Sequence, residues 1–308
     1  MSMPRLSILA SVYQGLAYLP AYLDELQSQT LFAQCEVIFV CNAPSAEELE
    51  ILRTFQQAWP AQVQILEVPR ETLSASWNRA WQLARAPLLA IWNIDDRRTP
   101  DSLQRQVEAM ERAPWALCYG DYLAVAQYGD EAGVVRHTPA YSAAHFARAF
   151  AQGGAFWVLR RAVAEQIGYF DEQFRIAPDM EYSLRIAVNR LPMGRVDGVL
   201  GYFTAAGLGL STRAGELPAR ERTAVQLRYG VFDKVQAEPR AAAASFRLDH
   251  VQSFGQWQPL AALWPQQHAY LRRRQPLWLL GRLRFALRRL LARLGLLEWL
   301  HARLHKEL

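Results

Sequence analysis

Four short apolar runs, near residues 5–12, 35–41, 62–68 and 87–92, alternate with three stretches of helical periodicity, near 16–28, 45–58 and 72–84. This alternation constrains the fold more than any other feature of the chain. Strands linked by intervening helices pair in parallel through βαβ crossovers, and so build an α/β sheet rather than a bundle or a sandwich. Leu16, Leu19, Leu23 and Leu26 recur at three- and four-residue spacing and give the first helix one apolar face. Ser45 followed by Glu48 is a capping box for the second helix. With 308 residues, 51% of them hydrophobic, the chain can bury one large or two modest cores.

Beyond residue 114 the pattern changes. Trp115 to Tyr119 reads as a strand, Gly129-Asp130 as a hairpin turn, 143–150 as a helix and Ala155 to Leu159 as another strand. Arg160 to Ile167 looks helical, and a strong helix over Asp179 to Asn189 starts behind Pro178, a residue suited to the first helical turn. The sheet is therefore expected to gain antiparallel strands. From about 216 onward the chain reads as helical and includes the alanine run 241–244.

The last segment is an amphipathic helix over about 277–306. Leu283, Leu287, Leu290, Leu294, Leu297 and Leu304 form its stripe, with Arg282, Arg288, Arg289 and Arg293 largely to the side. Residues 271–308 carry ten Lys and Arg against two Glu, a net +8 that leaves −3 for the remainder of a +5 chain. Arginines interrupt the stripe too often for a membrane-spanning helix. Three readings of this tail remain: a helix lying in an anionic membrane interface, a helix packed on the enzyme, and a contact of a homo-oligomer. Nucleic acid fits less well, because the basic residues accompany a long Leu stripe. Cys35, Cys41 and Cys118 lack metal spacing, and their odd number argues against a disulfide framework. Arg5 to Val12 is too short for a signal-peptide core. Both features lead to the expectation of a cytoplasmic protein with reduced thiols.

Trp92-Asn93-Ile94-Asp95-Asp96 is the segment richest in chemistry. Two adjacent carboxylates follow an apolar run, at the strand edge where open α/β sheets bind polar ligands. Side by side and buried, they would repel at a cost of several kcal/mol unless a divalent cation, an Arg or a polar ligand met them. The alternative is a solvated turn capping the next helix, although Asp101 already stands at that helix's start.

Four segments in order resemble glycosyltransferase family 2, the inverting enzymes of the nucleotide-sugar-binding GT-A fold, and together they span about residues 4–205. They are Leu6 to Gln14 with Tyr18-Leu19; Ser74 to Ala80 leading to Asn93-Ile94-Asp95-Asp96 and Pro100 to Leu103; Arg160-Arg161 through Ile167 to Glu172; and Ala177 to Arg185. The resemblance implies an α/β GT-A fold with a mixed central sheet and a C-terminal helical extension. It divides the chain into a glycosyltransferase domain over 1–215, with a nucleotide-binding half (1–100) and an acceptor-side half (101–215), followed by a helical region over 216–308.

The implied activity is inverting transfer of a sugar from a nucleotide-sugar donor to a glycan or lipid-linked acceptor. Cell-envelope synthesis at the cytoplasmic face of the inner membrane is the implied setting. In this reading Asp96 holds Mg²⁺ or Mn²⁺, which neutralises the leaving diphosphate, and Asp95 meets the ribose or donor sugar. Asp179 is the base that takes the acceptor's proton; its alternative is a first-turn acid on the helix that follows Pro178. Ser11 and Tyr13 belong to the first nucleotide-contacting loop, Tyr13 either packing on the base or serving as a core aromatic. Arg79 approaches the diphosphate or base, or is a surface arginine on an amphipathic helix. Glu181 is read as an acceptor contact or a solvated residue.

The chain departs from the family pattern in three places. Cys41-Asn42-Ala43-Pro44-Ser45 replaces the usual acidic pair after the second strand, leaving Asn42 to bond a base edge through its amide. The metal motif begins with Asn93, and Pro178 replaces the acid before the base. These changes leave room for an alternative, a catalytically inactive GT-A protein that binds or scaffolds and docks through its basic tail. A sugar nucleotidylyltransferase is disfavoured, because no Gly-rich phosphate loop follows the first strand.

Overall fold

The computed structural model describes residues 3–142, 156–205, 215–231, 235–265, 268–269, 278–294 and 296. They fall into two compact units, one of residues 1–213 with 252–258 and the other of 214–251 with 259–308.

In the first unit, β1 (Leu6–Val12), β2 (Cys35–Asn42), β3 (Val63–Val68) and β4 (Leu88–Ile91) are parallel and lie in the order β3-β2-β1-β4. Every residue of β1 and β2 is buried, as expected for parallel strands covered on both faces. The crossovers are α1 (Leu19–Ser28), α2 (Ala46–Ala58) and α3 (Leu73–Leu83). Ser45 and Glu48 close the anticipated capping box on α2. Leu19, Leu23 and Leu26 face the core, joined there by Tyr22. Leu16 does not: α1 begins three residues after it, so it lies in the preceding turn with its side chain exposed.

The sheet continues β4-β8-β6-β9-β5, with β5 (Arg97–Arg98), β6 (Leu117–Val125), β7 (Val134–Arg136), β8 (Val158–Arg160) and β9 (Met193–Thr204). Strand β8 is antiparallel to both β4 and β6, and β6 pairs in parallel with β9. The mixed sheet expected from the sequence is thus present, and β6 with β7 forms the hairpin around Gly129. Helices α4 (Ser102–Arg112), α5 (Val163–Ile167) and α6 (Pro178–Val188) complete this unit. The helix expected near 143–150 and the start of the strand at Ala155 lie outside the described residues. All three cysteines are buried and free.

The second unit contains α7 (Glu216–Tyr229), α8 (Pro239–Ser245), α9 (Leu260–Leu263) and α10 (Trp278–Arg293). Arg228 is buried and donates to the carbonyls of Arg247, Leu248 and His250, so a buried cation here serves backbone oxygens. The stretch after residue 216 is not wholly helical, because β10 (His250–Ser253) and β11 (Gln256–Pro259) form a hairpin, whose residues 252–258 belong to the first unit. Its turn places both Phe254 and Gly255 at positive φ, 53° and 73°, the geometry that matches the twist of a two-residue hairpin. Of the expected 277–306 helix, 278–293 is described; Leu297 and Leu304 lie outside the described residues.

Candidate active site

The C-terminal ends of β2, β1 and β4 lie side by side, the position at which open α/β sheets bind ligands. That order brings together Asn42 at the end of β2, Ser11 and Tyr13 at the end of β1, and Asp95 and Asp96 after β4. The loop leaving β1 packs closely on the acidic turn. A methyl group on Gly15 would collide with Ile94 Cδ1, and Gly15 N donates to Glu48 at 2.5 Å.

The acidic turn is rigidly framed. Trp92 Nε1 donates to the Asp96 carbonyl at 2.8 Å, Tyr22 Oη donates to the Trp92 carbonyl, and Trp77 Nε1 from α3 reaches Asn93 Oδ1. Neither aspartate caps α4, whose N-cap is Asp101. Asp96 is 6% exposed and accepts a side-chain bond from Asn93 Nδ2 at 3.2 Å. Burial first, then repulsion from Asp95, pushes the Asp96 carboxyl well above its ordinary value against the opposing pull of Asn93 and Arg98. Asp95 reaches solvent, yet the surrounding protein also raises its carboxyl. Arg98 beneath is buried, stacked over Trp92 and Phe156, and desolvation lowers it to about 10. Two adjacent carboxylates with this little hydrogen bonding present hard oxygen donors suited to Mg²⁺ or Mn²⁺.

Helix α3 connects the rest. Its buried Asn78 donates to the Phe170 carbonyl and to Glu172, and accepts from Phe170 N; Ser74 donates to the Phe174 carbonyl. Glu172 also accepts from Phe254 N and Gly255 N, which ties the 252–258 segment to the same loop. That loop leads into α6, where Asp179 stands half-buried in the first turn and accepts from Met180 N.

Three expectations change. Asn42 is 1% exposed and both ends of its amide are engaged: Nδ2 donates to the Glu71 carbonyl and Oδ1 accepts from Glu71 N. It therefore holds the loop before α3 instead of offering its amide to a base. Arg79 pairs with Glu71 at 2.8 Å, so its charge is already matched. Glu181 is fully buried in an ion pair with Arg185, one helical turn on, because α6 is buried on nearly all sides. Of two aromatics that the sequence offers as either the lining of an acceptor groove or plain packing, Trp157 is buried, whereas Tyr202 lies half-buried beneath the Arg97 guanidinium.

The structure also supplies residues that sequence reasoning passed over. The Arg70 guanidinium lies 3.6 Å from the centroid of the Tyr13 ring, two planar groups at the mouth of the site. Glu71 joins Asn42, Ser76 and Arg79. The one advance signal was the charged pair Arg70-Glu71 immediately before Thr72, the α3 cap.

The sequence profile of glycosyl transferase family 2 matches residues 7–168, more than half of the chain. The chain belongs to glycosyltransferase family 2. Its fold is the GT-A fold of solved family structures. The S. aureus TarS fragment 1–349 in complex with UDP is 14% identical with a TM-score of 0.59, over 78% of this chain and 69% of that one. The same fragment in complex with UDP-GlcNAc gives 15% identity and a TM-score of 0.58, over 78% of this chain and 70% of that one. The Pyrobaculum calidifontis mannosyltransferase PcManGT, in complex with GDP-Man and Mn²⁺, is 14% identical with a TM-score of 0.54, over 90% and 73%. No curated protein sequence matches the chain significantly. This chain carries an acidic turn after its fourth strand and, at the end of its second, an asparagine engaged by Glu71.

Proposed function

We propose that this family 2 member transfers a sugar, with inversion, from a nucleotide-sugar donor to a glycan or lipid-linked acceptor in cell-envelope synthesis. The observation that carries the reading is the Asp95-Asp96 pair at the ligand-binding edge of the sheet, two adjacent carboxylates met by little hydrogen bonding, both raised by desolvation and Asp96 further by the charge of Asp95. Complexes of similar folds with UDP, UDP-GlcNAc and GDP-Man support a nucleotide-sugar donor. We assign catalysis to residues 1–215 and treat 216–308 as an extension of the catalytic domain.

In this mechanism the Tyr13 ring, stacked with the Arg70 guanidinium, borders the nucleobase, Ser11 lines the nucleotide loop, and Asp95 orients the ribose or the donor sugar. Asp96 would hold Mg²⁺ or Mn²⁺, which when bound supplies Lewis-acid neutralisation of the diphosphate. Arg79 stays with Glu71 and shapes the wall beside the base. The acceptor oxygen attacks the anomeric carbon as the bond to the diphosphate oxygen breaks. The acceptor's proton passes to the Asp179 carboxylate, and the nucleoside diphosphate leaves with the bonding pair.

The test is a thermal-shift panel of UDP-, GDP- and dTDP-sugars with and without Mn²⁺, followed by product analysis on the donor that stabilises the protein. One donor should raise the Tm in a cation-dependent way and be slowly hydrolysed. Asp179→Asn should keep that shift while losing about 10²–10⁴-fold in turnover. Stabilisation without product for the unmodified protein, even with cell-derived acceptor lipids, would convert the reading to a donor-binding scaffold. No stabilisation by any donor would remove it.

A further inference from the structure

Helix α10 leaves a leucine face uncovered. Leu283, Leu287, Leu290 and Leu294 are 66%, 55%, 53% and 60% exposed, and their spacing of four, three and four residues sets them in one stripe. Phe285 and Leu291, by contrast, are half-buried, and Arg288 Nη1 donates to the Val235 carbonyl at 3.5 Å. The helix is thus held within the second unit while its leucine stripe faces solvent. At 100° per residue, position 284, an arginine, lies about 90° to one side of the stripe and Arg293 about 90° to the other, with Arg289 further round behind Arg293; Arg289 and Arg293 are exposed, and Arg288 belongs to the packed side.

We infer that this leucine face is an interfacial anchor for an anionic lipid bilayer, lying in the headgroup boundary with arginines on both sides. Charge decides the occupant. α10 has five arginines and no acidic residue, so pairing it with a second copy would oppose cations along both edges of the seam with no carboxylate to meet them. An anionic lipid surface complements both flanks at once, and arginine stems of this length can stay on the apolar surface while their heads remain at the phosphates. No helix among the described residues is long and apolar enough to cross a membrane, which fits a helix lying in the interface.

The experiment is co-sedimentation of the full chain with vesicles of phosphatidylcholine alone or mixed with phosphatidylglycerol. Binding to the anionic vesicles should exceed binding to the neutral ones by about tenfold or more and weaken with added salt. Leu287→Glu with Leu290→Glu should abolish it without changing helix content or donor-induced stabilisation, since both positions are exposed. Arg289→Gln with Arg293→Gln should reduce the preference for anionic lipid. Equal binding to both vesicle types, no binding to either, or a dimer that Leu287→Glu dissociates without any vesicle binding would overturn the inference. None of these outcomes bears on sugar transfer, which the donor panel reads separately.

Discussion

Asp121 and Asp96 are both buried aspartates of the same unit, 4% and 6% exposed, yet they are held in opposite electrostatic states. Asp121, in β6, accepts from Thr138 N at 2.9 Å, Thr138 Oγ1 at 3.1 Å, His137 Nδ1 at 2.7 Å and Arg195 Nη2 at 2.8 Å. Burial alone would raise its carboxyl; those donors, the Thr138 N–H foremost, outweigh burial and hold it at about 2. Asp96 has Asn93 as its side-chain donor and Asp95 as its neighbour, and its carboxyl moves up. Glu36, at the other end of the parallel strands, behaves like Asp121. Ser7, Arg85 and Gln64 surround it, and the bonds from Ser7 and from the Arg85 backbone and side chain overcome its desolvation. Structural carboxylates in this fold are therefore surrounded by donors. The Asp95-Asp96 pair is left short of them, as the proposed cation and donor site requires.

Asp96→Asn should break the contrast most sharply. Removing the buried member of the adjacent pair of charges should abolish cation-dependent donor stabilisation and lower turnover by about 10²-fold or more. The ligand-free protein should at the same time gain roughly 1 kcal/mol of stability, read as a higher Tm. A fall in Tm would mean that the turn is structural and not a site.

Asp121→Asn should behave in the opposite way. A carboxyl lowered from its ordinary value to about 2 contributes about 2 kcal/mol of stability that is complete above the unfolded-state value and lost as pH falls through the folded-state value. Denaturant melts should show the variant weaker by about that amount at neutral pH, the gap closing between roughly pH 4 and pH 2. A pH-independent gap would assign the effect to packing instead of charge.

The smallest effect is expected from Gly15→Ala. The new methyl group meets Ile94, so stability should fall by about 1 kcal/mol. Donor affinity should fall with it, because the two loops that frame the proposed donor site would be pushed apart. Lost stability with unchanged donor binding would show that the β1 loop and the acidic turn act independently.

Much of this could be read before the chain was folded. The four parallel strands and three crossover helices followed from apolar period and capping, which are local. Leu16 misled because a spacing of three places residues on one face only if the helix reaches that far, and α1 begins at Leu19. The β10–β11 hairpin hid in a Gln-rich stretch whose single signal was Gly255 in a tight turn. The acidic turn was legible because two carboxylates closing an apolar strand are conspicuous by type and position. Asn42 was not. Whether its amide is available depends on Glu71, 29 residues on, being folded back against it. Glu181 was equally hidden, although Arg185 four residues later carried the spacing of a helical ion pair.

The sequence by itself determined the α/β alternation, the identity and order of the acidic segments and the basic amphipathic tail, because all three are written in near-neighbour spacing. Only the tertiary structure decided which carboxylates have donors and which polar side chains are already engaged, and that the leucine stripe of α10 meets solvent. Those outcomes depend on groups tens of residues away in the chain. The free energy of a buried charge or an apolar face is set by whatever the fold brings against it.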